Sequence, residues 1–346
     1  MVPDLMPAAV YVGDGRLEVQ QLAVPTPGPD QVLVEVAQCG ICGTDLHLVH
    51  ERYARPGTVL GHEWAGTVVA VGDDVTGWSI GEALVSDPTP GCGRCRACRR
   101  GRPSVCRRRE PTDYLDFRGA FCRYVTVPAA RLLRLPVGLG TRTAALTEPT
   151  AIALHAVALA DVEPTDRVLI TGGGAVGLLI LAVLRARGID HVTVSEPAAP
   201  RQERARALGA TRVVDPAELP AAAMGLLVED PYDVAFECSG HARAAESALD
   251  QLDFAGTLVF VGTGGEPPRL NHNRMIILEL SAVGTYNYDA AGFAPALELL
   301  ASGALPVDLL IAPDDVLLDG LADTIDQLVL GQIPGKVLVR PEVSTS

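Results

Sequence analysis

Seventeen consecutive uncharged residues, Val168 to Leu184, contain four glycines, three of them adjacent. No other stretch constrains the fold as much. The run approaches the length of a short membrane span, but its glycines and its polar or charged flanks fit a strand, a tight turn and a helix better. Gly172-Gly173-Gly174-Ala175-Val176-Gly177 reads as G-x-G-x-x-G, after a buried strand over 167–171 and before a helix over 175–187. In that context Gly172 allows the tight turn, Gly174 lets backbone approach a pyrophosphate, and Gly177 lets helix and strand pack closely. Phosphates would meet the N–H groups and positive dipole end of the helix. Glu196 closes the next strand, 24 residues after Gly172. A carboxylate there accepts hydrogen bonds from the ribose hydroxyls and repels a 2′-phosphate, so the predicted cofactor is NAD rather than NADP. Arg201 is open between a contact to the adenosine ribose and a solvated side chain. The bland alternative for the whole stretch is a glycine-rich turn with a capping acid.

The texture on the two sides of residue 150 differs. Before it, short strands and turns dominate, with Val32–Val36 the clearest strand. From Asp166, strands near 191–196, 212–215, 233–237, 257–261 and 281–284 alternate with helices, which means βαβ units and a parallel sheet. Phe293–Ala301 reads as a further helix and Lys336–Arg340 as a closing strand. The 346 residues suffice for about two domains.

In the first region, Cys42-Gly43-Thr44-Asp45-Leu46-His47 and Gly61-His62-Glu63 place a thiol, imidazoles and carboxylates close together in sequence. A catalytic zinc accepts sulfur, nitrogen and oxygen ligands and keeps one position open. Cys42 and His62 are the candidate first ligands; Glu63 and Glu148 compete for the rest. Taken singly, Cys42 also reads as a small buried hydrophobe and His62 as a satisfied core group. Cys92, Cys95, Cys98 and Cys106 form C-x₂-C-x₂-C-x₇-C. Four thiolates can close a tetrahedral zinc with no open position. Pro90–Arg109 carries eight arginines and no aliphatic side chain longer than valine, so metal binding would supply its folding energy. Free thiols and an iron–sulfur cluster are the other readings. The arginines form a solvated face or, more sharply, a nucleic-acid patch. The net charge of −14 argues against the latter and against anionic membrane. No basic start followed by an apolar core opens the chain, and clustered cysteines favour metal over disulfides in a cytoplasmic protein. Lys336 is the only lysine.

Taken in order, these motifs resemble the zinc-dependent medium-chain alcohol and polyol dehydrogenases, including sorbitol, butanediol and threonine dehydrogenases. The resemblance covers essentially the whole chain. It implies an α/β-plus-β fold. Residues 1–150 would be a GroES-like catalytic domain including the lobe 90–109, 151–286 a Rossmann NAD-binding domain, and 287–346 a segment completing the catalytic domain. It implies two zincs per chain and NAD, and hydride transfer between NAD and a small-molecule secondary alcohol or polyol. By the same resemblance Cys42 and His62 match catalytic zinc ligands, and Glu63 matches a glutamate on or just behind the metal. Glu148 stands where classical members have a second cysteine, which favours a Cys/His/Glu site with water. Asp45 would orient a ligand, Thr44 would bond the substrate oxygen, and His47 would relay the proton. Val176 would lie by the pyrophosphate, and Val261, Gly262, Thr263, Thr285, Tyr286 and Asn287 would line the nicotinamide. Leu48, Trp64 and 109–117 are pocket candidates. The family forms dimers and tetramers. A zinc-free quinone or enone reductase on the same fold, and a non-catalytic nucleic-acid-binding or structural protein, are the rival readings.

Overall fold

The structure is a computed structural model that describes residues 2–88, 91–108, 119–222, 227–289 and 292–344. Leu5–Gly13 (β1) and Arg16–Ala23 (β2) pair as an antiparallel hairpin. Gln31–Gly40 (β3), Glu63–Val71 (β4), Ala83–Ser86 (β5), Tyr124–Pro128 (β6) and Leu132–Arg134 (β7) belong to one sheet. Arg167–Thr171 (β8), His191–Ser195 (β9), Arg212–Val214 (β10), Tyr232–Glu237 (β11), Leu252–Phe260 (β12) and Ser281–Gly284 (β13) form a second, all-parallel sheet in the order β10-β9-β8-β11-β12-β13. Val316–Leu317 (β14) and Leu338–Arg340 (β15) return to the first sheet, giving the path β14-β15-β3-β4-β5-β7 with β6 on β3. The fold is therefore a β-rich GroES-like unit beside a doubly wound parallel sheet.

The parallel sheet follows from its sequence. β8 has Val168, Leu169 and Ile170 at 0% exposure, the continuous apolar run of a strand covered on both faces. The helix Ala175–Ala186 is buried from Gly177 through Leu184, too completely for a surface helix. Burying each such leucine contributes about 1.5–3 kcal/mol. The helix Thr147–Ala160 packs against it, as does Phe293–Ala301 against Thr147–Ala160, and all three share one core. A separate core, including Val32, Val34, Trp64, Val68, Phe121 and Val339, fills the first sheet. Trp64, a pocket candidate, is 7% exposed and belongs to this core. The candidate pocket stretch 109–117 lies outside the described residues.

Candidate active site

Antiparallel pairing builds the first cluster. β3 and β4 meet with Gly40 opposite Glu63. Cys42 lies two residues beyond the end of β3, and His62 immediately precedes β4, so the two ligand candidates converge at the same end of the sheet. One ligand atom each from Cys42, His62 and Glu63 lies within 4.8 Å of the others. Asp45 braces both loops: its carboxylate accepts from the Cys42 N–H at 2.9 Å and the Gly61 N–H at 3.3 Å, and lies 3.9 Å from His62 Nδ1. A Cβ on residue 40 would overlap the Glu63 carboxylate, so glycine there lets that side chain lie against the strand.

β15 completes the site from the far end of the sequence. It pairs with Leu338 opposite Gly40, which brings Lys336 level with Cys42. The Lys336 ammonium donates to Glu63 Oε1 at 2.7 Å and to the Ile41 carbonyl at 2.9 Å. Glu63 Oε2 is 2.6 Å from the same nitrogen but off the hydrogen-bond direction, so this buried oxygen has no hydrogen-bond partner. Sequence reasoning noted Lys336 as the sole lysine and, within Gly335-Lys336-Val337-Leu338-Val339, as part of a landmark of the resembling family, but gave it no role at the site.

Glu148 occupies the first turn of Thr147–Ala160 and is 8% exposed. It does not join the 4.8 Å group. Burial pushes its carboxyl up to about 7, with the Glu63 charge adding to the rise and His62 opposing it. Burial would lower His62, but Cys42, Asp45 and Glu148 outweigh it and hold the imidazole above its ordinary value. The pocket thus gathers more acidic groups than the one ammonium of Lys336 balances. A divalent cation with thiolate, imidazole and carboxylate ligands fits that donor set. Thr44 and His47 lie on the helix Gly43–His50 that starts at Cys42, and both are half-buried. His47 Nδ1 is 2.6 Å from Glu51 Oε1, one helical turn on. Leu48 of that helix is buried.

The second cluster holds Cys92, Cys95, Cys98 and Cys106, whose sulfurs also lie within 4.8 Å of one another. Cys95 Sγ is 3.5 Å from Cys98 Sγ and 3.8 Å from Cys106 Sγ. The N–H groups of Cys98 and Arg107 lower the Cys95 thiol to about 6, while burial and crowding sulfurs raise Cys98. Four converging thiols with no disulfide fit a tetrahedral metal. The lobe is tied to the opposite sheet through Asp289, which accepts from Ser104 Oγ at 2.6 Å and pairs with Arg102 at 2.8 Å. The adjacent Tyr288 hydroxyl donates to Asp87 at 2.8 Å. Neither tie was visible in the sequence, since both join residues far apart along the chain.

The third cluster sits at the carboxyl ends of β8 and β11, where the strand order reverses and a crevice opens. Gly172 takes φ +98° with Ser239 of the β11 loop packed against it, and a Cβ on Gly177 would overlap the Gly172 carbonyl. Gly174 caps the helix, with Val176 half-buried in its first turn. The Glu196 carboxylate accepts from the Gly173 N–H at 2.7 Å and the Ala198 N–H at 2.9 Å. Arg201, the candidate ribose contact, is part-buried rather than solvated. Its guanidinium donates to the Leu328 carbonyl at 2.9 Å, across to the helix Leu321–Val329. Val261 and Gly262 donate backbone N–H groups to the Glu237 carbonyl, and Thr263 packs close to Gly240. Glu237, which sequence reasoning missed, uses its buried carboxylate to accept from the Ser239 and Gly240 N–H groups and so shapes the crevice wall. After β13, the Thr285 hydroxyl and Asn287 amide nitrogen are buried without partners, whereas Tyr286 is 55% exposed.

Two family models match the chain. Residues 28–137 match an alcohol dehydrogenase GroES-like domain, and residues 175–302 match a zinc-binding dehydrogenase. The chain is 35% identical over 295 residues to a sorbitol dehydrogenase of Halalkalibacterium halodurans, covering 83% of this chain and 85% of that one. It superposes with a TM-score of 0.85 on a candidate zinc-binding dehydrogenase of Sinorhizobium meliloti bound to NADP, at 33% identity, covering 98% and 100% of the two chains. A structure from Escherichia coli, described as a short chain alcohol dehydrogenase complexed with NADH, gives 0.86 at 26% identity, with 98% and 100% covered. The two metal-competent clusters and the crevice at the sheet's reversal point thus belong to a member of the zinc-binding medium-chain alcohol and polyol dehydrogenase family.

Proposed function

We propose that the protein is a zinc-dependent oxidoreductase that transfers hydride between NAD and a secondary alcohol or polyol. The observation that carries this reading is the convergence of one ligand atom each from Cys42, His62 and Glu63 within 4.8 Å. Cys42 and His62 would hold the catalytic zinc, with Glu63 or Glu148 as the carboxylate ligand, and the four lobe cysteines would hold a structural one. When bound, zinc polarises the substrate oxygen and lowers its pKa, and NAD takes the hydride. The chain's own residues do the rest. Thr44 bonds the substrate oxygen. His47 moves the proton outward through Nε2, its Nδ1 side being held by Glu51. Gly172, Gly174, Val176 and Gly177 receive the pyrophosphate at a helix N-terminus. Glu196 takes the adenosine ribose hydroxyls and repels a 2′-phosphate. Val261, Gly262, Thr263, Thr285, Tyr286 and Asn287 line the nicotinamide side. The sorbitol dehydrogenase relative supports the polyol class.

The unpaired cysteines support a cytoplasmic location. No helix among the described residues is long and apolar enough to cross a membrane. The partition of strands between sheets supports domain limits at 1–150, 151–286 and 287–346. The outer edge of β13 is exposed, with Ile276 71% and Phe254 63% exposed nearby, which supports a homo-oligomer formed by extending this sheet across a two-fold axis.

The test is zinc content per chain together with a screen of NAD and NADP reduction over alcohols, diols, sugars and cyclitols. Two zincs and turnover on one class are expected. Cys42→Ser should lose one zinc and all turnover while NAD binding, followed by fluorescence, persists. Full activity in that variant would defeat the assignment.

A further inference from the structure

The only lysine in the chain is enclosed in the catalytic pocket. Lys336 is 2% exposed and Glu63 0%. Its backbone is clamped on both sides, the Lys336 N–H donating to the Leu310 carbonyl and the Ala312 N–H to the Lys336 carbonyl. That clamp fixes the Cα, and the 2% exposure of the side chain shows the ammonium enclosed behind it. It touches both arms of the pocket: the Ile41 carbonyl, one residue before Cys42, and Glu63, one residue after His62. It donates a hydrogen bond to Glu63 Oε1 at 2.7 Å and ion-pairs with Oε2 at 2.6 Å.

A buried carboxylate without a compensating charge is costly, and its partner is often worth more as a neutraliser than as an attraction. Lysine contributes a compact point charge that an arriving cation can partly replace. Glu63 thus faces two claimants, because the ammonium lies against both of its oxygens and a metal on Cys42 and His62 would compete for the same carboxylate. Building on the metal site proposed above, we infer that Lys336 is a positioning residue that shares Glu63 with the catalytic metal. It keeps this carboxylate a part-time ligand and the metal less tightly bound than its ligands alone would make it.

The experiment uses the full chain with zinc in the four-cysteine lobe and Co²⁺ in the catalytic site. The thiolate-to-cobalt absorption that disappears in Cys42→Ser identifies the site. Cobalt affinity is then measured against a chelator of known strength in wild type, Lys336→Met and Lys336→Gln. The glutamine keeps an N–H donor for the Ile41 carbonyl, so it decides the matter if the methionine variant fails to fold. Removing a buried positive charge beside a cation should tighten cobalt binding by about tenfold or more and slow its release. In a Glu63→Gln background the same change should have a much smaller effect, because the shared carboxylate is gone. Unchanged or weaker binding in folded Lys336→Gln, with lobe zinc retained, would overturn the role of Lys336 alone. Absence of any Cys42-dependent absorption in wild type would sink the metal site itself, and this inference with it.

Discussion

Glu196 is anchored by two backbone N–H groups, so its carboxylate needs no rearrangement before it meets a ribose. Replacing it with alanine removes charge-assisted hydrogen bonds worth about 1.5–3 kcal/mol. Steady-state kinetics of Glu196→Ala should show KM for NAD rising roughly 10- to 100-fold and the preference over NADP shrinking. An unchanged cofactor preference would remove Glu196 from the specificity determinants. His155 gives a pH prediction. Burial lowers its pKa and Arg102 adds to that, although Asp289, 3.7 Å away, pulls upward. A histidine with a depressed folded pKa supplies stability above its unfolded pKa of about 6.5 and loses it as pH falls through the folded value. Denaturation midpoints between about pH 7.5 and 5 should fall more steeply in wild type than in His155→Asn. Cys42, His62 and Glu196 were legible in the sequence because their chemistry has a spacing. Lys336 and Glu237 were not, since a lone charged residue has no spacing and its burial depends on which strand turns it inward.

The four-cysteine lobe is an element without a core of its own, and its ties to Asp289 make it a brace for the segment after β13. Cys98→Ser should release the lobe metal and lower the thermal midpoint by roughly 5–10 °C. It should also raise KM for NAD, because Thr285 and Asn287 lie just before Asp289. A midpoint shift with cofactor binding untouched would show that the brace does not reach the crevice. The lobe, the strand–glycine–helix unit and the parallel strands were readable as elements, each carrying a local pattern. The ties between them were not. Ser104 and Asp289 are 185 residues apart, and only the folded chain brings them together. Arg201 taught the same lesson, since its partner is a carbonyl at the end of another helix.

Across the whole molecule, the chain enters the first sheet, leaves for the second, and returns to the first through β14 and β15. That route was legible from the alternation of strand and helix after residue 166 and from the closing strand. The pairing of β15 beside β3, which puts residue 336 opposite residue 42, was not, because register is set by contacts and not by local pattern. The placement also has a consequence for chemical probing. The sequence carries one side-chain amine, and it is sealed in the first sheet. Amine-directed reagents and lysine-specific proteases therefore find no exposed side-chain amine in the closed molecule. Modification of Lys336, followed by mass spectrometry over time, becomes a clock for the opening of the catalytic sheet. It should run slowly in the native protein and faster once the Cys42 site is stripped of metal. Immediate modification would mean that the sheet stands open in solution.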